Sequence, residues 1–170
     1  MALTRLGTNS ITALPSGVVD SAALASGVGG KVLQVVQSQS NTTYTTTSTS
    51  ASATGYTVSI TPSSTSNKIL VNFDLGGIRI YSNTWMRMRL YRQINGGGYS
   101  SIKTLEDGYG YTIGSDHTSS KSFSYLDTSH STTNQIDYQL YAWIAGSMGR
   151  ICVDGVELTS VTAMEIAGWL

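Results

Sequence analysis

Four residues that could recognise another molecule alternate along one stretch, Trp85-x-Arg87-x-Arg89-x-Tyr91. Successive side chains of an extended strand point to opposite faces, so these four would share one face and Met86, Met88 and Leu90 the other. Sugar rings stack on aromatic rings and a guanidinium fork holds a carboxylate with two bonds, so such a face suits an acidic glycan. Trp, Tyr and Arg also dominate contacts between proteins, so it equally suits a neighbouring subunit. A second candidate surface is the segment from Gly108 to Gly114, where Tyr109 and Tyr111 stand among glycines. Tyrosines on a glycine-rich loop make adaptable binding tips, although the segment also reads as a plain hairpin. Trp169, next to last, puts a large apolar group where chains usually fray, which suggests that it docks on something.

Hydrolytic chemistry finds little to work with. Ser-His-Asp catalysis needs a positioned histidine, and the two present, His117 and His130, lie in Ser/Thr/Gly-rich stretches that read as solvated loops. The sequence has no Gly-x-Ser-x-Gly elbow, phosphate-cradling Gly-Lys-Ser/Thr loop or His-Glu-x-x-His zinc motif. Asp116-His117 is too small a cluster to hold a metal. Glu106-Asp107 with Asp116 or Asp127 offers carboxylates for glycoside hydrolysis, but Glu106-Asp107 before Gly108 reads more simply as a turn. No catalytic residue, metal site or cofactor is assigned, and the chain is expected not to be an enzyme.

The surroundings of these residues set further limits. A chain of 170 residues can bury a core without disulfides or metal, and Cys152 stands alone. Only 12% of residues are charged, and ten basic residues cancel ten acidic ones. Nucleic-acid binding by counterion release needs clustered Lys and Arg, so no nucleic-acid partner is expected. So few charges suit a protein whose surface is covered by partners in a fixed assembly. The N-terminal stretch has no unbroken apolar run of signal-peptide length, and no run of about 18 apolar residues occurs anywhere, so neither secretion by a signal nor membrane insertion is expected.

Along the chain, residues 1–30 carry apolar points at Leu6, Ile11, Leu14, Val18 and Leu24, separated by Pro15, Gly17 and Gly27. They carry no sustained strand or helical period, apart from a short helix around Asp20 to Ala25 that Asp20 could cap, and read as an extended anchoring arm or else as a disordered tail. Residues 31–170 read as one β domain. Lys31 to Ser38 is the expected opening strand. In the Ser/Thr tract that follows, Thr42 to Thr47 suits a solvated edge strand with Tyr44 on the sheet, or else a linker. Period-two stripes follow at Tyr56, Val58, Ile60; at Ile69, Val71, Phe73, Leu75; at Met86, Met88, Leu90; and at Ile136, Tyr138, Leu140, Ala142, Ile144. Val161, Ala163 or Met164, and Ile166 mark the last strand, with Val156 and Leu158 near its opening. Pro62 to Asn67 reads as a turn and Asn95-Gly96-Gly97-Gly98 as a hairpin. Strands at this spacing, with no helical period between them, predict an all-β fold, an antiparallel β-sandwich of jelly-roll type with an extended N-terminal arm.

Several segments carry a family likeness. The stretch Gly29-Gly30-Lys31-Val32-Leu33-Gln34-Val35-Val36, the Ser/Thr tract, and the run from Val58 to Leu70 through Pro62 resemble small virion proteins of marine and cyanobacterial tailed phages. Ser124-Tyr125-Leu126-Asp127, the Tyr138-Gln139-Leu140 strand and the closing run from Val161 to Ala167 are similar to that group in order and spacing. The opening residues Met1 to Gly7, with Ile11 to Pro15, resemble fibre N-termini. The resemblance implies a virion structural protein: a β-sandwich head, often a homotrimer, fixed to the particle by its N-terminal segment, as a capsid decoration or as a tail or fibre component. Its partners would be other virion proteins. The alternative is a receptor-binding fibre head that recognises a host surface glycan.

Overall fold

The computed structural model describes residues 31–81, 84–110, 114–152 and 157–168. Ten strands occur among them: β1 Val32–Ser40, β2 Tyr44–Thr46, β3 Ser52–Ile60, β4 Lys68–Ile80, β5 Met86–Ile94, β6 Ser100–Tyr109, β7 His117–Asp127, β8 Ile136–Ile144, β9 Gly149–Ile151 and β10 Thr159–Ile166. Every pairing is antiparallel. In the first sheet β1 pairs with β10 and β10 with β4, while β7 lies along the other side of β4. Short β9 meets β4 at Arg79 and Ile80, and β2 flanks β9, so the two short strands extend the β10 and β1 positions. The second sheet runs β3-β8-β5-β6. With β1, β10, β4 and β7 in one layer and β3, β8, β5 and β6 in the other, this is the eight-strand order of a jelly roll.

The period-two stripes line the interior. Tyr56, Val58, Ile60, Met86, Met88, Leu90, Ile136, Tyr138, Leu140, Ala142 and Ile144 come from the second sheet and meet Ile69, Val71, Phe73, Leu75, Ile78, Ile80, Val161 and Ala163 from the first. Fully burying each large side chain contributes roughly 1.5–3 kcal/mol, so the inner faces fix which side of every strand faces in. On β4 the stripe skips from Leu75 to Ile78 because a bulge at Gly76-Gly77 resets the alternation. The residue type is required there. Gly77 has φ +43°, and a Cβ on Gly76 would come within 2.6 Å of the Leu158 carbonyl oxygen.

The expected hairpin joins β5 to β6. Asn95 at φ +50° and Gly96 at φ +70° are both left-handed, as a type I′ turn requires. The Thr tract supplies edge strand β2, with the Tyr44 hydroxyl bonded to Ser52 and to the Ala142 carbonyl. Cys152 is free and buried.

Three expectations are corrected. Glu106 and Asp107 lie within β6, not in a turn, because three successive bulges let ten residues of β6 run beside seven of β5 and scramble its alternation. On β10 the inward position after Ala163 belongs to Glu165, while Met164 and Ile166 face outward. Neither histidine lies in a solvated loop: His117 opens β7, and His130 is buried, with Nε2 2.8 Å from the Asn67 carbonyl oxygen and Nδ1 3.1 Å from the Thr132 carbonyl oxygen and 3.4 Å from its backbone nitrogen. The arm residues Leu6, Ile11, Leu14, Val18 and Leu24, together with Tyr111, Val156 and Trp169, lie outside the described residues.

Candidate functional site

The alternation of β5 works as expected: Met86, Met88 and Leu90 are fully buried, while Arg87, Arg89 and Tyr91 emerge on the outer face of the second sheet, with Trp85 just before the strand. β8 completes the face from the other side. Trp143 stands opposite Arg87, Tyr141 opposite Arg89 and Gln139 opposite Tyr91. Directly paired residues of antiparallel strands project to the same side, so the odd positions of both strands form one platform.

Its side chains are already largely engaged with one another. The Arg87 Nε lies 2.8 Å from the Asp107 carboxylate and its guanidinium 5.8 Å from the Trp85 ring centre. The Arg89 guanidinium sits over Trp143 at 5.0 Å, and no carboxylate of the described residues pairs with it. Tyr91 stacks on Tyr141 with centroids 3.9 Å apart, and Tyr99 tilts against Tyr141 at 5.9 Å. Burial, and then the neighbouring Tyr99 and Tyr91 phenols, push the Tyr141 phenol up, so it stays a neutral donor at physiological pH. Chemically this is an aromatic and cationic platform. It has no nucleophile beside a base.

The sequence placed Trp85, Arg87, Arg89 and Tyr91 on one face, as found, and offered Tyr109 as part of a second, separate surface. Tyr109 is instead buried: it pairs with inward-facing Met86, and its ring meets the His117 edge at 5.4 Å and the Lys121 ammonium at 4.8 Å. Tyr141, Trp143, Tyr99 and Asp107 were missed. The signal for Tyr141 and Trp143 was their odd position in the β8 stripe, but the pairing of β5 with β8 is not local.

Two buried carboxylates occupy one end of the sandwich. Glu165 on β10 and Asp127 on β7 both pair with Ile69 of β4, in a single row of the first sheet. Asp127 accepts from Arg92 Nη1 (2.7 and 3.0 Å), from the Tyr138 hydroxyl (2.7 Å) and from the Ser129 backbone N–H (2.9 Å). Glu165 accepts from Asn67 Nδ2 (2.5 Å), Gln34 Nε2 (2.6 Å) and the Ser63 backbone N–H (2.7 Å) and hydroxyl (2.8 Å). With their lone pairs spent on donors, these carboxylates clamp strands and turns together instead of offering an acid and a base.

A pH dependence follows. Burial alone would raise both carboxyls, but the Tyr138, Ser129 and Arg92 donors outweigh it at Asp127, as do Asn67, Gln34 and Ser63 at Glu165, so both lie below their ordinary values. A depressed carboxyl contributes stability that is complete above its unfolded value and is lost as pH falls through its folded value. The denaturant midpoint is therefore expected to hold from neutrality to about pH 5 and to fall below about pH 4. A midpoint unchanged down to about pH 2 would show that the two clamps contribute no charge-dependent stability.

Among the described residues no group of three or more His, Cys, Asp or Glu could hold a metal ion, and no helix is long and apolar enough to cross a membrane. No family model and no curated protein matches the sequence. Among solved structures the chain is similar to that of the VP2 subviral particle of infectious bursal disease virus, at 11% identity and a TM-score of 0.49 over 78% of this chain and 39% of that one. It is also similar to chains of the Gx strain of that virus, at 10% identity and a TM-score of 0.45 over 78% and 40%, and of the Gt strain, at 11% and 0.45 over 81% and 39%. The chain thus spans about two fifths of the length of these structures.

Proposed function

We propose that this chain is a virion structural protein of a tailed-phage particle, a surface component that anchors through residues 1–30 and assembles through its sandwich. One observation carries the assembly part of this reading. On the outer face of the first sheet, Val35, Met164, Leu70 and Leu126 stand in a single register row across all four strands. Val35 is 57% and Leu126 41% exposed, and Val32 and Leu33 lie bare beside them. A contiguous apolar band on an outward sheet face, in a chain with almost no net charge to keep it apart from others, marks a surface that a partner covers. The phage particle, and the choice between capsid decoration and tail or fibre component, come from the sequence resemblance.

A single comparison tests it. Particles assembled with the full chain should carry it in their protein content and in image reconstruction. A chain lacking residues 1–30 should melt like its parent yet stay off the particle, since every ladder partner of β1 among the described residues belongs to β10. Incorporation of the shortened chain removes the anchoring role, and absence of the full chain from particles removes the virion reading. Glycan recognition is favoured only by Arg89, whose guanidinium has an aromatic partner and no carboxylate partner among the described residues.

A further inference from the structure

Edge strands template pairing with other chains, and proteins normally blunt them with charges, bulges or brevity. The edges of this sandwich are blunted in these ways, with one exception. β2 has three residues; β3 is broken by a bulge between Ala53 and Thr57, with Gly55 at φ +86°; β6 carries Lys103, Glu106 and Asp107; β7 carries His117 and Lys121. β1 has nine residues with no charge and no proline, and among the described residues it pairs only with β10. Its one register irregularity falls between Val32 and Gln34, so Gln34 to Ser40 form a regular run whose outer edge pairs with none of the described residues. The same strand carries the barest part of the apolar band, Val32, Leu33 and Val35.

We propose that β1 pairs with β1 of a second copy of this chain, antiparallel about a two-fold axis near Val35. The proposal rests on the reading of the chain as an assembly protein and names the edge and the partner that assembly uses. Self-complementarity selects the second copy as occupant. With Val35 of the two copies face to face, Gln34 of each meets Val36 of the other, and Gln37 and Gln39 lie along the irregular stretch that holds Leu33 and Lys31, so no like charges cross the seam. The apolar rows of both outer faces abut into one band, and two four-strand layers become one continuous sheet. Pairing of like edges closes at two copies, which distinguishes it from the homotrimer that the resemblance implies.

Sedimentation of the full chain, with hydrogen exchange on β1, tests this. The parent should form dimers as concentration rises, and the backbone amides of Gln34 to Ser40 should become slower to exchange as it does so. Val35→Lys, at an exposed position, should keep the fold and weaken dimerisation about a hundredfold or more by setting two ammonium groups against each other. Leu126→Lys, at the far end of the apolar row, should leave the dimer intact. A parent that stays monomeric, a trimer, β1 amides indifferent to concentration, or a Leu126→Lys chain as impaired as Val35→Lys would each overturn edge pairing. Incorporation into particles is read separately, so a monomeric chain found on the virion defeats this pairing alone.

Discussion

Leu90→Asp is expected to leave no folded domain at room temperature, whereas Arg89→Ala should lower the melting temperature by only about 2–4 °C. The two positions are neighbours on β5 and differ only in the face they occupy. Leu90 is fully buried opposite Leu140, in the middle of the second sheet's inner face. Truncating such a leucine typically costs about 2–5 kcal/mol, and an unpaired carboxylate in its place costs several more, against a total stability of roughly 5–15 kcal/mol. Arg89 gives up its contact with the Trp143 ring, which is worth about 1 kcal/mol or less at a partly exposed site. Thermal melts followed by circular dichroism decide the matter. Equal damage from both changes would mean that the arginines belong to an internal network and that the outer platform does not exist.

That facing assignment was legible in the sequence because the inner faces are almost wholly apolar, so period two survives in the stripes of β3, β4, β5 and β8. The signal failed where the backbone departs from regularity. Three bulges in β6 displaced Glu106 and Asp107 from any readable alternation, and Tyr109 was misread because its inward direction follows from its pairing with Met86. It failed again where a polar residue took an inward position. Glu165 and Asp127 interrupt the apolar stripe, and their donors lie on other strands and turns, so nothing local shows that they are satisfied. Of the pairings in the two sheets, only β5 with β6 joins consecutive strands. The apolar row of Val35, Met164, Leu70 and Leu126 is invisible for the same reason: its members come from four strands whose register exists only in the folded sheet.

The buried ion pair that closes one end of the sandwich gives the second large effect. Arg92→Ala is expected to cost about 3–5 kcal/mol at neutral pH, because it leaves the fully buried Asp127 without its charge partner. The pair joins the layers: Asp127 belongs to β7 of the first sheet, while Arg92 and Tyr138 belong to β5 and β8 of the second. Tyr138→Phe should cost less, about 1–3 kcal/mol, since it removes one donor while the arginine remains. pH separates the charge from the packing of the arginine stem. Asp127 lies below its ordinary value, with burial opposing the shift and the Tyr138, Ser129 and Arg92 donors carrying it. As pH falls below about 4 towards the folded value, the parent also loses its carboxylate, and the gap between parent and Arg92→Ala should narrow. Denaturant unfolding of both proteins at neutral and acid pH measures that gap. If it is as wide in acid as at neutrality, the arginine acts through the packing of its stem, and the link between the two sheets owes nothing to charge.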